Sequence, residues 1–284
     1  MILQETYTLA NGVEIPKLGL GTWLIDQADA AQAVKDAVRI GYRHIDTAQD
    51  YHNEAEVAAG IRACGVSRDE IFLTTKLAAR YKSYQDAVAA IDGSLQRMEL
   101  DYVDLMIIHS PQPWGDFGKS DRFFEGNRDA WRALEGAQQA GKIRSIGLSN
   151  FQQQDIDNIV QACTVAPVIN QILAHVSNTP AELIRYSQEK GMLIEAYSPF
   201  GHGELFKNDQ IAQLAGKYGV SVAQLCIRYC LQLDLLPLPK TASPDHMKHN
   251  AEVDFEILEE DMTVLKNIER IKDYGEASVF PVYQ

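Results

Sequence analysis

Four residues in the first half of the chain have side chains that could together deliver a proton to a substrate: Asp46, Tyr51, Lys76 and His109. A phenol has a pKa of about 10 in water, and a neighbouring ammonium lowers it by stabilising the phenolate. A carboxylate would hold that ammonium in place through a charge-assisted hydrogen bond, and an imidazole can bind and orient a carbonyl oxygen. These residue types therefore indicate a proton donor for an oxygen that becomes negative during a reaction.

Three of these residues stand where an apolar run of the sequence ends. Asp46 closes RHID, Lys76 follows IFLTT and His109 closes VDLMIIH. Continuous apolar runs are typical of parallel strands that helices cover on both faces. Eight such candidate strands cover residues 17–21, 43–46, 71–75, 103–109, 143–149, 167–171, 192–197 and 235–239.

Stretches with helical periodicity separate the apolar runs. In residues 83–100, Val88, Ile91, Leu95 and Met98 recur at steps of three and four, which places them on one face of a helix. Further amphipathic stretches cover residues 29–40, 53–64, 127–140, 152–162, 180–189 and 208–232, and two more follow the eighth run. Four glycines stand where a helix C-terminal cap belongs: Gly41, Gly141, Gly191 and Gly219.

The alternation of strands and helices predicts a parallel α/β fold, and eight repeats favour a closed (β/α)8 TIM barrel over a doubly wound sheet. Asn11-Gly12, between short alternating segments, predicts an N-terminal β-hairpin, and the patterns after the last strand predict extra C-terminal helices. We expect residues 1–284 to form one barrel domain. A barrel carries its active site at the C-terminal ends of its strands, which is where three of the four proton-handling residues stand.

The composition excludes several classes of partner. The formal net charge of −13 makes nucleic acid and anionic membrane surfaces poor partners. No group of histidines, cysteines or carboxylates has the spacing of a full metal site, so we expect no metal ion. The four cysteines are few and scattered, and the opening MILQETYTLANG does not resemble a signal peptide, which favours a cytoplasmic protein.

Longer motifs around these residues resemble the aldo-keto reductase superfamily, including its bacterial diketo-gluconate reductases. GYRHIDTAQDYHNEAEV at residues 41–57 is similar to the first family signature, and GKIRSIGLSNF at residues 141–151 is similar to the second. LPLPKTASPDHMKHN at residues 236–250 is similar to the third. The resemblance runs through essentially the whole chain, in the family's order.

The resemblance implies that the protein reduces an aldehyde or ketone with hydride from NADPH. Asp46, Tyr51, Lys76 and His109 match the family's catalytic residues, with Tyr51 as the general acid. Small carbonyls, α-dicarbonyls and sugar-derived ketones are the substrate classes that it implies. The residues expected to contact the substrate are Trp23, Tyr51, His109 and Trp114.

A cofactor site also follows from the resemblance. Ser149, Asn150 and Gln171 match residues that hold the nicotinamide carboxamide, and Tyr197 matches the ring that stacks on the nicotinamide. Ser198, Phe200 and His202 fall where the pyrophosphate is bound. The implied cofactor-binding residues are Gly21, Thr22, Trp23, Asp46, Ser149, Asn150, Gln171, Tyr197, Ser198, Phe200, His202, Lys240, Thr241, Ala242, His246 and Asn250.

One position near the adenosine end departs from the family pattern. Lys240 and Thr241 match the site of the 2′-phosphate, but His246 stands where the family usually has an arginine. Histidine is mostly neutral at pH 7, so it adds less attraction for a phosphate. We therefore expect NADPH to be preferred by a narrower margin than usual, and NADH to be used as well.

Two segments bear on the substrate pocket. The loop after His109 contains Trp114, Phe117, Phe123 and Phe124, which could line the pocket or pack the loop onto the barrel. The short C-terminal tail, ASVFPVYQ, closes the pocket if the resemblance holds. We expect a small-molecule carbonyl as the partner and, by the family's commonest habit, a monomer.

Two alternative functions stay open from the sequence. A lysine at a barrel strand end can form a Schiff base, so Lys76 could serve a lyase. That chemistry needs a neutral amine, whereas an aspartate paired with Lys76 would keep it charged. A cofactor-binding regulatory scaffold is the second alternative, because some relatives serve ion channels; an intact set of catalytic residues argues against it.

Overall fold

Eight parallel strands curl into a barrel in the computed structural model, which describes residues 1–283; Gln284 belongs to the predicted domain but lies outside the described residues. The sheet closes where Gly21 N donates a hydrogen bond of 3.0 Å to Pro239 O and where Gly21 pairs with Lys240. The predicted (β/α)8 barrel is confirmed. Its strands, in spatial order, are β3 (Gly19–Gly21), β4 (His44–Asp46), β5 (Phe72–Leu77), β6 (Val103–Ile108), β7 (Ile143–Ser149), β8 (Ile169–Leu173), β9 (Leu193–Tyr197) and β10 (Leu235–Leu238).

Helices cover the outside of the barrel, and the predicted helical stretches agree with them to within a few residues at most ends. The exception is the stretch 208–232, which forms two helices. Gly219 has a φ of +66°, which ends the first helix, and Ser221 caps the second by accepting a hydrogen bond from Gln224 N. The helices are α1 (Gln27–Ile40), α2 (Glu54–Arg62), α3 (Tyr84–Met98), α4 (Phe124–Gln139), α5 (Gln153–Val160), α6 (Ala181–Glu189), α7 (Asp209–Lys217), α8 (Val222–Gln232), α9 (Pro244–Ala251) and α10 (Glu259–Lys266).

The predicted N-terminal hairpin forms and closes one end of the barrel. Its strands β1 (Thr6–Thr8) and β2 (Glu14–Pro16) pair antiparallel. Asn11 Nδ2 donates a hydrogen bond of 3.2 Å to Arg144 O, at the start of β7. Leu9 and Ile15 join a buried apolar cluster inside the barrel. The hairpin therefore covers the N-terminal ends of the barrel strands, and the C-terminal ends stay open.

Two observations bear on the excluded partners. Within residues 1–283, no helix has the length and apolar character needed to cross a bilayer. The same part of the chain contains no cluster of three or more histidine, cysteine or carboxylate side chains arranged to hold a metal ion. Cys226 and Cys230 are free and buried in α8, as expected for thiols that pack in a core.

Candidate active site

A cavity of about 620 Å³ opens at the C-terminal ends of the barrel strands. Most of the residues expected to bind substrate or cofactor lie together in its wall, although they come from strands far apart in the chain. Those in the wall are Gly21, Trp23, Asp46, Tyr51, His109, Trp114, Ser149, Asn150, Gln171, Tyr197, Ser198, Phe200, His202 and Lys240.

The expected proton-donor group is assembled in and directly beneath this cavity. Lys76, at the end of β5, is fully buried, and its Nζ atom donates to Asp46 Oδ1 at 2.5 Å and to Thr47 O at 3.0 Å. The same Nζ lies 3.1 Å from the hydroxyl of Tyr51, which a short 3-10 helix carries into the cavity wall. The ammonium therefore joins the carboxylate of Asp46 to the phenol of Tyr51.

The balance of pKa effects corrects the interpretation of Tyr51 from sequence. Burial raises the pKa of the Tyr51 phenol above its ordinary value, and the charge of Lys76 offsets only part of that rise. Burial alone would lower the pKa of Lys76, but the charge of Asp46 and the contacts with Tyr51 outweigh it and raise that pKa. The phenol therefore keeps its proton, and the lysine keeps its charge, as the pairing with Asp46 predicts.

His109 stands at the end of β6, next to the phenol. Its ring centroid is 5.7 Å from that of Tyr51, and the two rings meet edge to face. Burial, followed by the charge of Lys76, holds the pKa of His109 well below its ordinary value. A neutral imidazole has one N–H, so His109 can donate a hydrogen bond to a carbonyl oxygen without carrying a charge.

A buried network that the sequence analysis missed supports the group from behind. Gln171 Nε2 donates to Asp46 Oδ2 at 2.9 Å and to Glu195 Oε2 at 2.7 Å. Glu195 is fully buried in the barrel, and its Oε1 lies 3.7 Å from His44 Nε2. Burial and the charge of Asp46 raise the pKa of Glu195. The signal in the sequence that could have revealed this network was Glu195, the single charged residue inside the apolar run MLIEAY.

The same cavity wall holds most of the residues expected to bind cofactor. Tyr197 donates its hydroxyl to Asn150 Oδ1 at 2.7 Å, which fixes the side-chain amide. Ser198 Oγ lies 3.2 Å from His202 Nε2. Lys240 is the only lysine or arginine in the cavity wall formed by residues 1–283, and its side chain has no hydrogen-bond or ion-pair partner within them.

Some of the expected cofactor-binding residues do not reach the cavity wall. Thr22 is buried and donates its hydroxyl to Asp46 O at 2.9 Å. Thr241 Oγ1 accepts a hydrogen bond from Ser243 N. His246 is exposed on the first turn of α9. The expected cofactor-binding residues outside the wall are Thr22, Thr241, Ala242, His246 and Asn250.

The aromatic loop and the C-terminal tail both contribute to the cavity. Trp114 lies in the wall, in line with the first interpretation of the loop, and Phe117 packs against Trp114 within the loop, with ring centroids 5.9 Å apart. From the tail, Phe280 meets Trp23 edge to face, and Tyr283 shares a hydrogen bond of 2.9 Å with Ser198. Wall residues that the sequence analysis did not single out include Leu24, Asp50, Phe206, Phe280 and Tyr283.

Within the barrel, an ion-paired lysine lies beside a phenol that could donate a proton, and an unpaired lysine in the same cavity wall could bind an anionic group. The family profile of the aldo/keto reductases matches residues 17–270. This chain therefore belongs to the aldo/keto reductase family, and it is an oxidoreductase. Enzymes of this family reduce carbonyl groups and use NAD(P)H.

Individual relatives agree with this assignment. The glyoxal reductase of Bacillus subtilis is 38% identical over 275 residues, which cover 96% of this chain and 96% of that protein. A crystal structure of an aldo/keto reductase from Brucella melitensis is 35% identical, with a TM-score of 0.86 over 95% of this chain and 99% of that one. The structure of a Bombyx mori aldo-keto reductase in complex with NADP is 32% identical, with a TM-score of 0.85 over 98% of each chain.

Proposed function

We propose that this protein reduces small aldehydes and ketones, α-dicarbonyls among them, to alcohols with NADPH, and that Tyr51 is the general acid. The observation that carries the proposal is the position of Lys76 Nζ, between Asp46 Oδ1 at 2.5 Å and the Tyr51 hydroxyl at 3.1 Å. The similarity to a glyoxal reductase supports α-dicarbonyls as substrates.

Each residue of the site would have a separate role in the reduction. Tyr51 and His109 would hold the carbonyl oxygen between two hydrogen-bond donors, which polarises the carbonyl carbon. The bound nicotinamide supplies the hydride that this carbon accepts. The Tyr51 hydroxyl gives its proton to the oxygen, and the Lys76 ammonium stabilises the phenolate until water restores the proton. Asp46 keeps Lys76 charged and in place.

Several polar and aromatic side chains of the cavity wall fit a nicotinamide cofactor. The Gln171 side-chain nitrogen donates hydrogen bonds to two carboxyl groups. The amide oxygen of Gln171 is therefore available to the cavity, where it can accept a hydrogen bond from the N–H of a carboxamide. Asn150 and Ser149 offer further polar groups, and the ring of Tyr197 offers a flat surface for stacking. These residues would bind and orient the nicotinamide end.

The charge of Lys240 supports NADPH as the preferred cofactor. An unpaired ammonium in the wall suits a phosphate group, and a hydrogen bond to a charged group contributes about 1.5 to 3 kcal/mol. His246 lacks the fixed charge of an arginine, so we infer that the preference is narrow and that NADH is also used. The Bombyx mori relative in complex with NADP supports this choice.

The test is to mix the purified protein with NADPH or NADH and a panel of aldehydes, ketones and α-dicarbonyls, and to follow the absorbance of the reduced nicotinamide. We expect oxidation with several neutral carbonyls and a faster rate with NADPH. No oxidation of either cofactor with any member of the panel would contradict the proposal. Borohydride treatment with substrate, followed by mass spectrometry, tests the Schiff-base alternative: an adduct on Lys76 would replace our assignment.

A further inference from the structure

Asp50, next to the proposed acid in the chain, places a carboxylate in the wall of the active-site cavity. Its Oδ2 atom accepts a hydrogen bond of 3.2 Å from Trp114 Nε1 and lies 3.7 Å from His109 Nδ1. Both partners are residues expected to contact the substrate. The carboxylate of Asp50 therefore lies close to the place where a carbonyl group would bind.

The cation that pairs with Asp50 is Arg80, and it lies at the other carboxylate oxygen of Asp50. Arg80 Nη1 lies 2.5 Å from Asp50 Oδ1, and the Arg80 side chain is 56% exposed. Arg80 is absent from the described wall of the cavity and instead lines a separate surface depression with Gln27 and His52. A ligand in the cavity thus meets the carboxylate first, while water screens the guanidinium.

The other charges near the reacting group do not offset Asp50. Asp46 is neutralised by its ion pair with Lys76, which lies buried beneath the cavity. Lys240 is one of the residues expected to bind the cofactor, and its charge acts on His202. At the carbonyl end, Asp50 is therefore the charge that an incoming substrate meets.

We propose that Asp50 is a specificity-determining residue that selects neutral carbonyl compounds and rejects those with a carboxylate beside the carbonyl. The proposal rests on the carbonyl-reductase function proposed above and names its substrate class. A substrate carboxylate about 6 Å from that of Asp50 is repelled appreciably at the effective dielectric of a protein surface. Because Arg80 partly screens this repulsion, we expect neutral substrates to be favoured over carboxylates by about tenfold.

A matched pair of substrates tests this proposal. Methyl benzoylformate and benzoylformate present the same aryl ketone, once beside a neutral ester and once beside a carboxylate. The quantity to measure is kcat/KM for the ester divided by kcat/KM for the acid. Because an ester also activates the ketone chemically, the comparison is made between protein variants and not from the ratio of one protein alone.

Two variants should move this ratio in opposite directions. Asp50→Asn keeps the size of the side chain and an oxygen acceptor for Trp114 Nε1, and it should lower the ratio about tenfold, mainly through a lower KM for the acid. Arg80→Gln removes the counter-cation and should raise the ratio. Added salt should lower the ratio of the unmodified protein and leave that of Asp50→Asn nearly unchanged.

The outcomes separate this proposal from the proposed function. If the unmodified protein reduces neither the ester nor any other carbonyl compound of the panel, the carbonyl-reductase function itself is wrong. If it reduces the ester, but the ratio stays the same in Asp50→Asn or falls only because the ester reacts more slowly, Asp50 does not select by charge. Should Asp50→Asn fail to fold, an unchanged or lower ratio in Arg80→Gln would contradict the proposal equally.

Discussion

The chemistry of this protein depends on how single side chains change the properties of their neighbours. Tyr51 would be a poor acid by itself, because burial raises the pKa of its hydroxyl. Lys76 opposes that effect while its own charge is maintained by Asp46. In the proposed function, the proton stays on the phenol in the resting protein and leaves when a negative oxygen forms beside it, because the resulting phenolate lies next to an ammonium.

Replacing Tyr51 by phenylalanine tests this arrangement most directly. Tyr51→Phe keeps the ring and its contact with His109 but removes the donated proton. We expect the rate of hydride transfer to fall by about 10² to 10⁴-fold, the range typical of positioned acid catalysis, while the cofactor still binds. Single-turnover kinetics and a fluorescence titration with NADPH measure the two effects separately. A variant that keeps more than half of the hydride-transfer rate would show that Tyr51 is not the acid.

The cofactor preference is a second prediction at the scale of the residue. His246 is exposed near the start of α9, and α9 begins a few residues after Lys240. A permanent charge and a planar fork at this position suit a phosphate, so His246→Arg should tighten NADPH binding by roughly tenfold and leave NADH binding nearly unchanged. Fluorescence titrations with both cofactors check this, and His249→Arg, on the same helix, serves as the control. Equal effects on both cofactors would show that His246 does not face the 2′-phosphate.

At the scale of elements, the register of neighbouring strands places buried groups behind the site. Gln171 on β8 pairs with Glu195 on β9, so the two side chains point to the same face of the sheet. On the far side of the barrel, β4 contributes Asp46 and His44. The strands therefore bring Glu195 near the Asp46 carboxylate, His44 and the Lys76 ammonium, and all four side chains are buried.

Glu195→Gln should stabilise the protein more as the pH rises. A carboxyl whose pKa is raised on folding contributes most below its unfolded pKa, and that contribution is lost as the pH passes its folded pKa. Glutamine imitates the protonated acid at every pH. Thermal unfolding of both proteins at about pH 5 and about pH 8 should therefore show that the variant has the higher unfolding temperature, and that this difference is larger at the higher pH. A gain that does not depend on pH would show that Glu195 does not titrate in this range.

At the scale of the molecule, the loop after the first barrel strand and the C-terminal segment meet at the cavity. Trp23 follows the first barrel strand, and its ring lies 6.3 Å from that of Tyr283 near the C-terminus. The hydroxyl of Tyr283 is hydrogen-bonded to the hydroxyl of Ser198, one of the groups expected to bind the pyrophosphate. The tail and a bound cofactor would therefore compete for the same hydroxyl group.

Removing that competition should improve cofactor binding. Tyr283→Phe loses a neutral hydrogen bond of about 0.5 to 1.5 kcal/mol, so NADPH affinity should rise by roughly two- to tenfold. Tyr274→Phe is a matched control, because the Tyr274 hydroxyl bonds His175 and Tyr274 is not in the described cavity wall. Equilibrium titration of the two variants compares them. Weaker binding in Tyr283→Phe would mean that this hydroxyl helps to hold the cofactor.

The order of strands and helices could be predicted from the sequence because each element carries its own local pattern. Apolar runs marked all eight barrel strands, and the predicted caps Gly41, Gly141, Gly191 and Gly219 all have positive φ. The positions of Asp46, Lys76 and His109 at strand ends followed from the same runs. Since a parallel barrel brings its strand ends together, the centre of the site could be located before any distance was known.

Only the tertiary structure decided which other residues join the site and how their charges balance. Asp50 lies in a segment without a regular pattern, and Glu195 looked like one charge in an apolar strand. The family resemblance placed the C-terminal tail at the pocket, but it did not reveal the hydrogen bond between Tyr283 and Ser198. The direction in which the pKa of Tyr51 moves depends on two opposing effects. The exclusion of water by the whole barrel raises this pKa, and the nearby charge of Lys76 lowers it. Such quantities are sums over groups that lie far apart in the chain and close together in space, so no local pattern of residues encodes them.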